Sequence, residues 1–200
     1  MGSKSKRLGS GFEYEIRDIL REATGEMTFE RSPSSGAFVG GSNAFRTKTL
    51  RNDATEIMSG DLIVPANWRW MVECKNHVDI PVHQLFLGDG CKEVDSFLEQ
   101  TSYTASLINK QPLLFMKLRK SPATFSKKLK DIIIESGGAL PQTKTVSLGI
   151  LVAEMSDHSH DIAHLNHITY TGLLEDGTPI TWRFFDIEKW IKYVKERQNQ

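Results

Sequence analysis

Residues 59–76 read SGDLIVPANWRWMVECKN, two apolar runs separated by Pro65, Ala66 and Asn67. Leu62 to Val64 and Arg69 to Lys75 are rich in branched and aromatic side chains, which suit the half-buried surface of a sheet, so the pair reads as two strands. Three charged groups stand out against them: Asp61 at the entrance, Glu73 and Lys75 near the exit. An antiparallel hairpin centred on Asn67 puts position 61 opposite position 73, on one face, with Cβ atoms roughly 4.5–5.5 Å apart. Two carboxylates so placed repel each other unless a cation lies between them. A hard divalent ion such as Mg2+, with Mn2+ as its substitute, meets that need because it prefers oxygen ligands. Strand alternation sets Lys75 on the face of Glu73 and turns Cys74 the other way. An ammonium group beside a metal-held water is suited to hydrolysing a phosphodiester.

Upstream, Leu8, Phe12, Ile16, Ile19, Leu20 and Ala23 recur at helical spacing and Gly25 follows, which predicts an amphipathic helix with a glycine stop. Glu13 and Glu15 border its apolar stripe on opposite sides, and periodicity does not choose between them. A short strand is expected near 27–31. The stretch RSPSSGAFVGGSNAFRTKTLRN (31–52) then reads as a long loop or flap with four basic residues and no acidic one. Downstream, Val94, Phe97, Leu98, Thr101, Ala105 and Ile108 predict a second helix over 91–109, and QPLLFMKL (111–118) a buried strand. Strand, helix, strand in this order implies an α/β layer with mixed pairing. Ser121-Pro122 caps a lysine-rich helix to about Glu135, closed by Gly137-Gly138. TVSLGILVAEM (145–155) is a core strand, 167–185 a hairpin turning at Asp176-Gly177, and Ile187 to Arg197 a last helix.

With 39% hydrophobic and 25% charged residues in 200, the expectation is one domain over 8–200 behind a flexible basic arm, residues 1–7. Twenty-five basic and twenty-five acidic residues cancel, so any nucleic-acid footprint must be local. No apolar run approaches a membrane span and no leader pattern opens the chain, which points to the cytoplasm, that of a host if the origin is viral. Cys74 and Cys91 have no metal-ligand spacing and suit a reducing compartment.

Gly60-Asp61-Leu62-Ile63, with eleven residues separating Asp61 from Glu73-Cys74-Lys75, resembles the core motif of the PD-(D/E)xK nuclease superfamily. LGSGFE (8–13), followed by Arg31 to Gly36 with SSGA, resembles the archaeal-type Holliday junction resolvases within it, a viral or mobile-element member included. WRFFDIEKW (182–190) is a weaker echo. The resemblance implies a restriction-endonuclease-like core, a mixed central sheet flanked by helices, with 121–138 and 154–167 as insertions. It implies Asp61, Glu73 and Glu13 as metal ligands, the backbone carbonyl of Cys74 as another, and Lys75 as the catalytic lysine. The implied activity is Mg2+-dependent cleavage of branched DNA by a homodimer, in recombination or repair. Another nuclease of the fold, restriction-like, nicking or repair, and a non-cleaving DNA-binding module are the alternatives.

For the DNA, Arg31, Ser35, Arg46, Lys48 and Arg51 in the flap offer a phosphate cradle, and Lys127 and Lys128 belong to a second basic cluster with Lys117, Arg119, Lys120 and Lys130. Both would read charge and shape rather than base identity. His158, His160, His164 and His167 invite a zinc reading, set aside for a polar loop because no cysteine is near. Trp68 and Trp70 read as packing groups. Gln100, at the edge of the second helix's apolar face, is a candidate to orient site water.

Overall fold

The computed structural model describes residues 4–33, 48, 52–82, 84–85, 90–120, 131, 135–137, 146–155, 167–173 and 179–198. Helix α1 (Lys4–Thr24) begins four residues ahead of the apolar stripe. Phe12, Ile16 and Leu20 on that stripe are fully buried, each worth about 1.5–3 kcal/mol relative to exposure. The helix ends where expected. Gly25 takes φ +73° and its N–H closes on the carbonyl of Arg21, a backbone conformation that favours glycine. Strand β1 (Glu30–Arg31) follows, then the short helix α2 (Asn52–Ile57), which sequence periodicity did not announce, and β2 (Leu62–Ile63).

The core sheet is built from β3 (Trp70–Val78), β4 (Gln111–Lys120), β5 (Val146–Met155), β6 (Ile168–Leu173) and β7 (Pro179–Asp186), in the order β3-β4-β5-β7-β6. β3 and β4 are parallel, joined through helix α3 (Lys92–Ser106), and the remaining pairs are antiparallel. This is the mixed α/β layer that the strand, helix, strand order implied, an arrangement consistent with a restriction-endonuclease-like fold. β6 and β7 pair with Leu173 opposite Pro179, a hairpin register centred on position 176, although the turn itself lies outside the described residues. β5 continues to Met155, so the insertion expected from 154 begins inside a core strand. Most of the two expected insertions, like most of the capped helix after Ser121, lies outside the described residues.

Alternation along the strands sorts the core into two layers. Val72, Leu113, Phe115, Val152 and Phe185 face α1 and the terminal helix α4 (Ile187–Gln198), with Trp68, Trp70 and Trp190 packed edge to face among them. Leu114, Met116, Ala153, Trp182 and Phe184 face α3 through Val94 and Leu98. Asp186 caps α4 by accepting the N–H of Lys189. Glu154 is a polar group buried in the first layer: Trp190 Nε1 and Tyr193 Oη donate to its carboxylate, at 3.0 and 3.4 Å, and the Arg69 guanidinium lies 3.9 Å away. These bonds tie α4 to β5. Among the described residues no helix is long and apolar enough to cross a membrane.

Candidate active site

β3 is one of the two edge strands of the sheet, and Asp61 meets it on its outer side. The hairpin expected around Asn67 does not form as a ladder. β2 pairs antiparallel with β1, Arg31 opposite Leu62, while β3 takes β4 in parallel. Pro65 has no N–H to donate and its carbonyl accepts the N–H of Trp68, so the connection is a tight turn that parts β2 from β3. Asp61 still reaches β3, one residue out of the expected register. Its N–H donates to the carbonyl of Val72 at 2.9 Å, and its carboxylate Oδ2 accepts the N–H of Cys74 at 2.8 Å. Its carbonyl accepts the N–H of Ser32, which locks the start of the flap to the same point. In a strand the N–H and C=O of one residue point to the same side, so the Cys74 carbonyl opens on this edge too.

Gly60 makes the approach possible. Its φ is +76°, and a Cβ there would stand 2.6 Å from the Val72 carbonyl oxygen and 2.6 Å from Met71 Sδ. Only a residue without a side chain fits. Sequence reading registered Gly60 as part of a motif but not this contact, because the contact is with a strand eleven residues on.

All three acids are buried, with Glu13 8%, Asp61 5% and Glu73 3% exposed. Burial holds the Asp61 carboxyl well above the usual carboxylate range. The charge of Glu73 adds to this and that of Glu13 adds less, against the Cys74 hydrogen bond and the Lys75 charge. The two glutamates are thus close enough to act on Asp61, which places Glu13, not Glu15, beside it. Glu15 turns away to pair with Lys117. Glu13 pairs with Arg31 Nε, and Glu73 Oε1 accepts from Lys75 Nζ at 2.8 Å. Lys75 Nζ also donates to Gln100 Oε1 at 3.0 Å and lies over the ring of Phe97, 5.6 Å from its centroid. Gln100 therefore holds the lysine directly, a role that the sequence reading, which made it a candidate to orient site water, did not include.

Cys74 is turned into the α1 layer, as alternation predicted, and burial pushes its thiol up, with the charges of Asp61 and Glu73 adding to the effect. The residue is suited to contribute backbone rather than sulfur. His77 is on the face of Glu73 and Lys75. Burial, then Lys75 and Arg119, hold its imidazole below the usual range, so it is neutral at neutral pH.

The donor set, three carboxylates and a carbonyl, is all oxygen and fits a hard divalent cation. As the side chains stand, each carboxylate has a protein partner, and among the described residues no three His, Cys, Asp or Glu groups stand at ligating spacing. A cation would replace Arg31 at Glu13 and Lys75 at Glu73, and would offset the burial and the neighbouring charges that raise the Asp61 carboxyl. Of the residues expected to handle DNA, Arg31 is at the acids and Lys48 is exposed. Ser35, Arg46, Arg51, Lys127 and Lys128 lie outside the described residues, as do His158, His160 and His164. Lys117 and Lys120 are taken up by Glu15 and Asp79. Trp68 and Trp70 are core groups, as read.

Comparison with known proteins gives this arrangement a family. The chain is 29% identical over 121 residues to Protein D14 of Escherichia phage T5, a stretch of 58% of this chain and 66% of that protein. The match thus spans just under two thirds of the relative's length. No solved structure matches. Residues 4–196 match the family described as "Phage putative PDDEXK endonuclease", a span that takes in Glu13, Asp61, Glu73 and Lys75. That family's name abbreviates Pro-Asp followed by Asp or Glu, any residue and Lys; this chain carries Asp61 and Glu73-Cys74-Lys75, with Gly60 in the proline's place, and it belongs to the family.

Proposed function

We propose that this protein is a divalent-metal-dependent endodeoxyribonuclease that cuts branched DNA, a four-way junction being the reference substrate, and that it works as a homodimer. The observation that carries the proposal is the gathering of Glu13, Asp61 and Glu73 near the outer edge of β3, with Lys75 held on the same strand, in a chain of this endonuclease family. Asp61, Glu73, Glu13 and the Cys74 carbonyl would hold Mg2+ or Mn2+. When bound, such an ion supplies a Lewis acid and an acidified water. Lys75, steadied by Gln100, places its ammonium where it can orient a water or offset charge growing on phosphoryl oxygens. Arg31, which shares the Glu13 carboxylate, becomes available to a DNA phosphate once that carboxylate is engaged elsewhere. A two-fold dimer would give the paired, symmetric cuts that a junction requires.

The test is incubation of wild type and Asp61→Asn with labelled duplex, flap and four-way junction DNA, with Mg2+ or with chelator. Cleavage of the branched substrates by wild type in Mg2+ alone is expected. Equal rates on all three substrates would remove branch selectivity and leave the nuclease. Binding without cleavage, unchanged by Asp61→Asn, would mark a DNA-binding module instead.

A further inference from the structure

We propose that the exposed ring of Tyr14 and the bare backbone at Gly11 form a slot for one unpaired nucleobase beside the scissile phosphate. The favoured substrate then has bases open at the cut. This deepens the nuclease reading and rests on it.

On α1, Phe12, Ile16 and Leu20 face the core, while Tyr14 turns outward and is 44% exposed. A large aromatic on a charged helix face adds nothing to the core, yet this one is braced. The Arg17 guanidinium lies 4.8 Å from the ring centroid and that of Arg31 5.8 Å. Both arginines are themselves anchored, Arg17 to Asp18 and Glu30, Arg31 to Glu13. One guanidinium therefore spans from the ring to the acid cluster, so a nucleotide with its phosphate at the acids has its base within reach of Tyr14.

Much of the ring remains in contact with solvent. Side chains on a helix lean toward its N-terminus, so Arg17 reaches back over Tyr14, and Tyr14 leans toward the turn that holds the residue three before it. That residue is Gly11, and a Cβ built there meets nothing within 4 Å. Two guanidinium groups thus lie against a ring that is 44% exposed, and among the described residues Gly11, one turn before it, leaves open space beside its backbone. Every base has a π face that can use such a platform, and base-on-aromatic stacking is worth about tenfold or more in affinity. A base closed in duplex cannot enter without unpairing.

The probe is a forked oligonucleotide carrying 2-aminopurine in its unpaired arm, with an all-duplex control, bound in Ca2+ so that cleavage does not intervene. Stacking on Tyr14 quenches the fluorophore. Tyr14→Ala is expected to lose the quench and about tenfold in fork affinity, with duplex affinity within about twofold of wild type. Tyr14→Phe keeps both. Gly11→Leu fills the slot and is expected to lose the quench while the thermal midpoint holds or rises, since leucine favours helix over glycine. Retention of the quench in Tyr14→Ala or in Gly11→Leu overturns the slot, as does its loss in Tyr14→Phe. If wild type cleaves DNA in Mg2+ and these variants bind and cut the fork as it does, only the slot falls. If wild type neither binds nor cuts any of the DNAs, the nuclease reading falls with it.

Discussion

Gly60→Ala tests the backbone contact on which the placement of Asp61 depends. Alanine at φ +76° costs about 1–2 kcal/mol from its Cβ against its own carbonyl. The added methyl would also stand 2.6 Å from Met71 Sδ and from the Val72 carbonyl oxygen. The thioether can swing aside, but the carbonyl belongs to a buried strand hydrogen-bonded to Asp61. Overpacking of this kind costs about 1–3 kcal/mol. The sum is roughly 2–5 kcal/mol, and at about 2–4 °C per kcal/mol for a chain of this length the thermal midpoint falls by roughly 4–20 °C. Gly25→Ala is the control. It has nearly the same φ, +73°, and nothing within 4 Å, so it carries the conformational cost alone and should lose only about 1–2 kcal/mol. Calorimetric or fluorescence melts of the two variants in chelator give the difference. Cleavage at a temperature where both are folded adds a second reading, in which Gly60→Ala loses activity through displaced Asp61 and Gly25→Ala does not. If Gly60→Ala is no less stable than Gly25→Ala, the close approach of Gly60 to β3 is wrong, and so is the derived position of Asp61.

Lys75→Met should lower cleavage by about 10²–10³ with little change in DNA affinity, and Gln100→Leu, which leaves Lys75 its Glu73 partner, by only about tenfold. Single-turnover rates at saturating enzyme check both, and equal losses would show that Gln100 does more than hold the lysine. Trp190→Phe removes a donor 3.0 Å from buried Glu154 and should cost about 1–3 kcal/mol in denaturant unfolding, whereas a neutral result would deny that this bond fastens α4 to β5. Tyr170, pushed up to about 12 by burial and then by its hydrogen bond to Asp95, should ionise late in an ultraviolet titration, a step that Tyr170→Phe removes. The folded chain keeps this proton when the unfolded one, near pH 10, has lost it. The contribution is therefore whole below about pH 10 and declines as pH rises toward 12.

The recurring Phe12, Ile16 and Leu20 determined a buried helix from sequence alone, because an amphipathic stripe with period 3.6 has one way to hide from water. The alternation of Glu73, Cys74 and Lys75 likewise determined which of them share a face, and the repulsion expected between Asp61 and Glu73 was legible in their residue types. Those are local rules, with the answer contained in a few neighbouring residues. Partner choice is not local. That β3 pairs with β4 rather than with β2, that Asp61 grips the amide of Cys74 one step out of the hairpin register, and that Glu13 rather than Glu15 turns inward toward Arg31 were all decided by which surfaces could be buried together. The spacing of charges along the chain gave the chemistry its ingredients, and only the packing of α1, β1 and the Gly60 turn against an edge strand brought them to one place.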